Sequence, residues 1–93
     1  MKLSVEISKY PLSDEYIPAI KDFINRLNQH HQLEVLTNTM STQVFGDYDV
    51  LMPILSDEIR RSFEQYGKMV FVIKFINGNL SPNNPNRHGN HSE

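Results

Sequence analysis

The densest run of hydrogen-bonding side chains in the chain is Thr37-Asn38-Thr39-Met40-Ser41-Thr42-Gln43. Hydroxyls and amides supply donors and acceptors without net charge. That set suits a neutral heterocycle, whose ring nitrogens accept hydrogen bonds while its amine donates them. The same residue types also build turns, so turn chemistry is the competing reading of this cluster. The four histidines do not form a metal site: His30 and His31 are adjacent and project to different sides of a helix end, while His88 and His91 lie in a stretch without apolar residues. Solvated roles are expected for all of them. Catalysis finds no footing either, because no nucleophile stands beside a recognisable base and there is neither a glycine-rich phosphate loop nor a glycine-flanked serine. A binding protein without cofactor, rather than an enzyme, is the expectation.

The elements that must position these groups are short and well marked. Lys2 to Ser8 alternates, with Leu3, Val5 and Ile7 on one face and Lys2, Ser4, Glu6 and Ser8 on the other, the period of a half-buried strand ending at Pro11. Ser13-Asp14-Glu15 reads as a helix start, with Leu12 stapling onto Ile17. Ile17, Ile20, Ile24 and Leu27 then repeat at helical spacing, and Pro18 either sits in the first turn or marks a later start. Leu33–Asn38 and Ser41–Phe45 form a predicted hairpin broken by Gly46. Asp47 or Asp49 caps a second predicted helix with the stripe Leu51, Leu55, Ile59, Phe63 and Tyr66, and Gly67 stops it. Lys68 to Ile76 carries an unbroken apolar run that suggests a strand covered on both faces. Residues 81–93 have no apolar side chain and read as a disordered tail behind a single domain of residues 1–80.

The order β-α-β-β-α-β is that of an α+β ferredoxin-like sandwich, a four-stranded antiparallel sheet with two helices on one face. The other face is then bare. If Lys74 marks that side of the last strand, Val70, Val72 and Ile76 share it, and such a patch is the signature of a partner surface, most simply another copy of the same chain. The competing reading has the C-terminal segment folding back over the patch. Glu6 stands on the same side of the first strand and faces Lys74 if the two strands are neighbours. A charge pair covered by an oligomer contact is costly unless a ligand satisfies it, which makes Glu6 a candidate site residue beside the reading of a solvated strand acid.

Composition excludes several classes. At 93 residues the chain holds one hydrophobic core. No apolar run approaches the ~20 residues of a membrane-spanning helix, and the first residues lack the continuous apolar segment of a secretory signal, so a cytoplasmic protein without membrane partners is expected. The absence of cysteine removes disulfides, thiolate chemistry and the usual structural zinc ligands. A net charge of −2 leaves no broad footprint for nucleic acid, and Ser41-Thr42-Gln43-Val44-Phe45-Gly46 lacks the aromatic and basic pattern of an RNA-binding sheet.

Three segments together, Ser8-Lys9-Tyr10-Pro11-Leu12, Met40-Ser41-Thr42-Gln43-Val44-Phe45-Gly46-Asp47-Tyr48-Asp49 and Phe75-Ile76-Asn77-Gly78, make residues 2–80 resemble the YkoF-related thiamine-binding family. The resemblance implies a ferredoxin-like domain that pairs through its sheets into dimers or tetramers and binds thiamine or hydroxymethylpyrimidine without transforming it. It places Met40, Ser41, Thr42 and Gln43 around the ligand, with Glu6 and Asn38 beside them. Related small proteins often carry an acid before the glycine where this chain has Phe45, which instead stacks on a ring or plugs the interface. A structural or regulatory protein–protein module using the same sheet face is the alternative.

Overall fold

The computed structural model describes residues 1–11, 16–38 and 41–84. Six elements follow one another: β1 (Lys2–Pro11), α1 (Tyr16–Asn28), β2 (Glu34–Thr37), β3 (Thr42–Asp47), α2 (Tyr48–Tyr66) and β4 (Met69–Asn77). The strands form one antiparallel sheet in the order β2-β3-β1-β4. Leu3, Val5 and Ile7 of β1 and Val44 of β3 pack against Phe23, Leu27, Leu51 and Leu55 of the helices, so both helices lie on one sheet face. This is the α+β ferredoxin-like arrangement expected from the element order. Each such apolar side chain stabilises by roughly 1.5–3 kcal/mol on burial, well above the ~0–1 kcal/mol of a surface ion pair, so this cluster decides the fold.

Helix α1 begins at Tyr16, which places Pro18 in the first turn, where its missing N–H has no carbonyl to reach. Its buried line is Ala19, Phe23 and Leu27 rather than the isoleucines, because Ile17 is exposed and Ile20 and Ile24 are half-buried on the flank. The ring of Phe23 meets Phe71 of β4 with centroids 5.1 Å apart. The proposed cap Ser13 and its neighbours Leu12, Asp14 and Glu15 lie outside the described residues. At the start of α2, Asp47 occupies the capping position without a side-chain cap bond. Its carboxylate pairs with Lys2 at 3.2 Å, and the Tyr48 N–H donates to the carbonyl of Met1. Gly67 closes α2 at φ 77° and donates its N–H to Phe63 O, a backbone conformation that suits glycine.

Two strand readings are corrected. Gly46 does not break the hairpin strand; it lies inside β3 opposite Leu3. A Cβ there meets Leu33 Cδ2 at 2.7 Å, so the glycine admits Leu33 to the core. The run Met69–Ile73 is not covered on both faces. As an edge strand, β4 turns Phe71 and Ile73 inward and leaves Val70 and Val72 exposed on the helix-free side.

Residues 78–84 do not leave the domain after β4. Gly78 N–H donates to Lys2 O, Ser4 Oγ donates to Gly78 O at 2.7 Å and accepts from Leu80 N–H at 2.9 Å. Ser81 is buried and organises a turn, accepting at Oγ from Asn83 N–H and at its carbonyl from Asn84 N–H. Asn83 then donates from its amide to the Glu34 carboxylate of β2. This strap spans one end of the helix-free face, which corrects the expectation of a tail starting at residue 81: hydrogen bonds, rather than apolar burial, hold 81–84. Ser4 and Phe45 lie on that end and are buried, while Ile76 opposite Ser4 stays exposed, as do Tyr10, Val70 and Val72 over the other half. Residues 85–93, with His88 and His91, are outside the described set.

Candidate functional site

The strand register sets Glu6 opposite Gln43 on one side and opposite Lys74 on the other, a polar row across the three adjacent strands β3, β1 and β4. Facing residues of an antiparallel pair point to the same side of the sheet, and this row points away from the helices. Glu6 Oε1 is 3.6 Å from Lys74 Nζ, and Glu6 Oε2 accepts from Ser41 Oγ at 3.1 Å. The Glu6–Lys74 pair expected from the sequence is therefore present, and at 40% and 72% side-chain exposure it contributes only ~0–1 kcal/mol. The carboxylate thus remains accessible to a competing partner. Ser4, Glu6, Gln43, Phe45, Lys74 and Ile76, together with Leu80 of the strap, enclose a cleft of about 170 Å³. It has charged and amide groups along its floor and aromatic and aliphatic walls.

Thr42 is turned the other way. Successive strand residues alternate sides, so the neighbours Thr42 and Gln43 cannot flank one ligand lying on a single face. Thr42 is fully buried on the helix side, where its Oγ1 accepts from Lys9 Nζ at 3.0 Å and lies 3.4 Å from Thr37 Oγ1. Lys9, Ile20, Ile24, Thr37, Asn38, Ser41 and Thr42 surround a second cleft of about 120 Å³. Asn38 and Ser41 close the hairpin reciprocally: Asn38 Oδ1 accepts from Ser41 N–H, and Asn38 N–H donates to Ser41 O. The structure thus divides the candidate residues. Glu6, Gln43 and Phe45 gather on the helix-free face, Asn38 and Thr42 gather at the helix side, and Ser41 touches both. Met40 lies outside the described residues.

Lys9 carries no role in the sequence reading beyond its place in a motif, yet it is half-buried and its ammonium stands 5.6 Å from the centre of the Phe23 ring. Burial lowers its pKa from the usual lysine range. The signal for it lay in the alternation of β1: Lys9 continues the odd-numbered inward series Leu3, Val5 and Ile7, so a charge falls where a core residue is due.

A second buried charge is fully partnered. Glu58 of α2, 3% exposed, takes Arg26 Nε at 2.7 Å and His30 Nε2 at 2.9 Å, while Arg26 Nη2 reaches Glu58 O and Ser62 Oγ. Burial pushes the Glu58 carboxyl up, but the hydrogen bonds from His30 and Arg26, with the charges of Arg61 and Arg26, outweigh it and hold its pKa below the ordinary value. His30 is therefore a helix-pairing group rather than a solvated one, joined nearby by the Tyr66 hydroxyl on the Asp22 carboxylate. Among the described residues no group of three or more His, Asp or Glu side chains is placed to hold a metal ion, and no helix is long and apolar enough to cross a membrane.

No protein-family model and no curated protein matches the sequence. Solved structures do match the fold. Protein SP2199 from Streptococcus pneumoniae is similar over 100% of both chains at 19% identity, with a TM-score of 0.77. Hypothetical protein MJ1052 from Methanocaldococcus jannascii is similar over 98% of this chain and 95% of its own at 22% identity, with a TM-score of 0.73. The Thermotoga maritima protein TM0486, called a "putative thiamine biosynthesis/salvage protein", is similar over 100% of both chains at 13% identity, with a TM-score of 0.75. At these identities the likeness is one of fold: the chain shares the α+β architecture of a thiamine-related protein, and no family model accompanies the resemblance to the YkoF-related proteins.

Proposed function

We propose that the protein binds thiamine or its hydroxymethylpyrimidine precursor without transforming it, as carrier, buffer or sensor, in the cleft on the helix-free face. The observation that carries this reading is the Glu6–Gln43 row beside Phe45. An aminopyrimidine edge pairs an amine donor with a ring-nitrogen acceptor, which a carboxylate and a side-chain amide answer together. The walls formed by Phe45, Ile76 and Leu80 accept the flat ring, and the carboxylate suits a ligand with a cationic second ring. Support also comes from the fold shared with a protein named for thiamine biosynthesis or salvage.

A cleft of about 170 Å³ lying open on a sheet face is small for thiamine, since ligand pockets generally run ~300–1,000 Å³. Val70 and Val72 stand exposed beyond it, and Ile76 in its wall is exposed too. In this reading a second copy laid on that half of the face roofs the cleft, covers the aliphatic residues and makes the binding unit a sheet-to-sheet dimer. Titration calorimetry of the full chain with thiamine, its phosphate esters and hydroxymethylpyrimidine tests the ligand, and light scattering on the same sample tests the dimer. Binding that Glu6→Gln weakens by about tenfold or more is expected. Absence of heat and of thermal shift for every ligand at millimolar concentration overturns the reading, because a ligand far above its Kd must stabilise the native state.

A further inference from the structure

Lys9 is a half-buried cation to which the described residues supply no anion. Among the described residues every ion pair lies elsewhere, and no carboxylate stands within pairing distance of the Lys9 ammonium. An ammonium has three N–H donors, and among the described residues the acceptor it meets is Thr42 Oγ1. Because that oxygen accepts from Lys9, the Thr42 hydroxyl proton is directed onward, toward Thr37 Oγ1 or into the cleft. Ile20 and Ile24 form the opposing wall, which lowers the local dielectric and strengthens attraction to any anion that enters. A partly desolvated charge is disfavoured unless paired, so Lys9, beside an open cleft and with no carboxylate near it among the described residues, marks a place for an incoming partner.

We infer that the cleft at the helix-side end of β1 is an oxyanion site in which Lys9, with the hydroxyls of Thr37 and Thr42, holds a phosphate group. The donor set favours phosphate over carboxylate: a lysine acts as a point charge among converging donors, whereas carboxylates are best met by the planar fork of arginine. The space of about 120 Å³ far exceeds the ~10–15 Å³ that admits one water, so a multi-atom group fits. This site is distinct from the aminopyrimidine cleft, which opens on the other face of the sheet. The hydrogen bond from Ser41 Oγ to Glu6 joins the two, since Ser41 also lines the Lys9 cleft.

The test is calorimetric titration of the full chain with inorganic phosphate against chloride of equal ionic strength, with amide NMR to locate the site. Phosphate is expected to bind and to shift the amides of Lys9, Thr37, Ser41 and Thr42. Lys9→Met abolishes the binding and Thr37→Val weakens it severalfold. Phenyl phosphate run in parallel separates the sources: equal affinity assigns free phosphate, and tighter binding assigns an organic phosphate whose body rests on Ile20 and Ile24. No phosphate-specific heat, amide shifts centred away from Lys9, or binding undiminished in Lys9→Met overturns the assignment. Should Lys9→Met fail to fold, undiminished binding in Thr37→Val with no shift at the Lys9 amide overturns it equally.

Discussion

The buried Glu58 and the half-buried Lys9 are treated in opposite ways. Glu58 sits between the helices with Arg26 and His30 on its carboxylate and Ser62 holding Arg26, so each carboxylate oxygen meets a donor. Lys9 sits at the edge of the same core with a ring and a hydroxyl for company. A satisfied buried network fixes geometry and loses heavily when one member is removed. A desolvated charge lacking its counter-ion detracts from stability on its own and gains only when something binds. The contrast falls within a few residues of one helix, because Arg26 and Ile24 of α1 belong to the two regions respectively.

The sharpest way to break this contrast is to remove Arg26. Arg26→Ala leaves the Glu58 carboxylate buried and short of its nearest cation, and the loss should reach about 3–5 kcal/mol in urea unfolding. A loss below about 1 kcal/mol would place Glu58 among surface ion pairs. The second effect is the dependence of stability on acid. The folded pKa of Glu58 lies below its ordinary value of 4.5, so its contribution is complete above about that pH and drains as pH falls through the depressed folded value. Chemical denaturation followed down through this window should show a decline that is much shallower in Arg26→Ala. Equal slopes would assign the acid sensitivity to other carboxylates.

The smallest expected effect has the opposite sign. Lys9→Met exchanges a desolvated cation for an apolar chain of similar length, and without phosphate it should leave stability unchanged or raise it by up to about 1 kcal/mol, the trade expected of a residue retained for binding. Should it cost as much as Arg26→Ala, Lys9 belongs to the structural core and the contrast between the two charges disappears.

The elements were legible because their signals are local. Alternation over Leu3, Val5 and Ile7 announces a half-buried strand, Gly67 announces a helix end, and the facing of Glu6 and Lys74 follows once the element order implies that their strands are neighbours. The helix face was misread because an isoleucine repeat and the line Ala19–Phe23–Leu27 are one position apart, and which of them turns inward depends on where the sheet lies. Gly46 read as a strand breaker because nothing local reveals that Leu33 presses against its Cα. The strap was hidden for a related reason. Residues 81–84 contain no apolar side chain to report burial; Leu80 just before them is anchored to Ser4, 76 positions away, and Asn83 to Glu34, 49 positions away.

The candidate site follows the same division. The cluster from Asn38 to Gln43 was visible as composition, and Glu6 as an acid in an amphipathic strand. Their separation onto two sides of the sheet was implicit in the alternation that identified β3, yet the sequence does not say that each side holds a cleft. What the chain determined by itself is the order β-α-β-β-α-β, the polarity of the two faces of β1 and the row of charge across Glu6 and Lys74, because these rest on periodicity and neighbour spacing. Tertiary structure alone decided that Glu58 is enclosed by Arg26 and His30, that the segment after β4 packs beside Phe45, and that Lys9 meets no anion among the described residues. Burial and pairing are properties of what the rest of the fold brings close, and no residue carries them in its own identity.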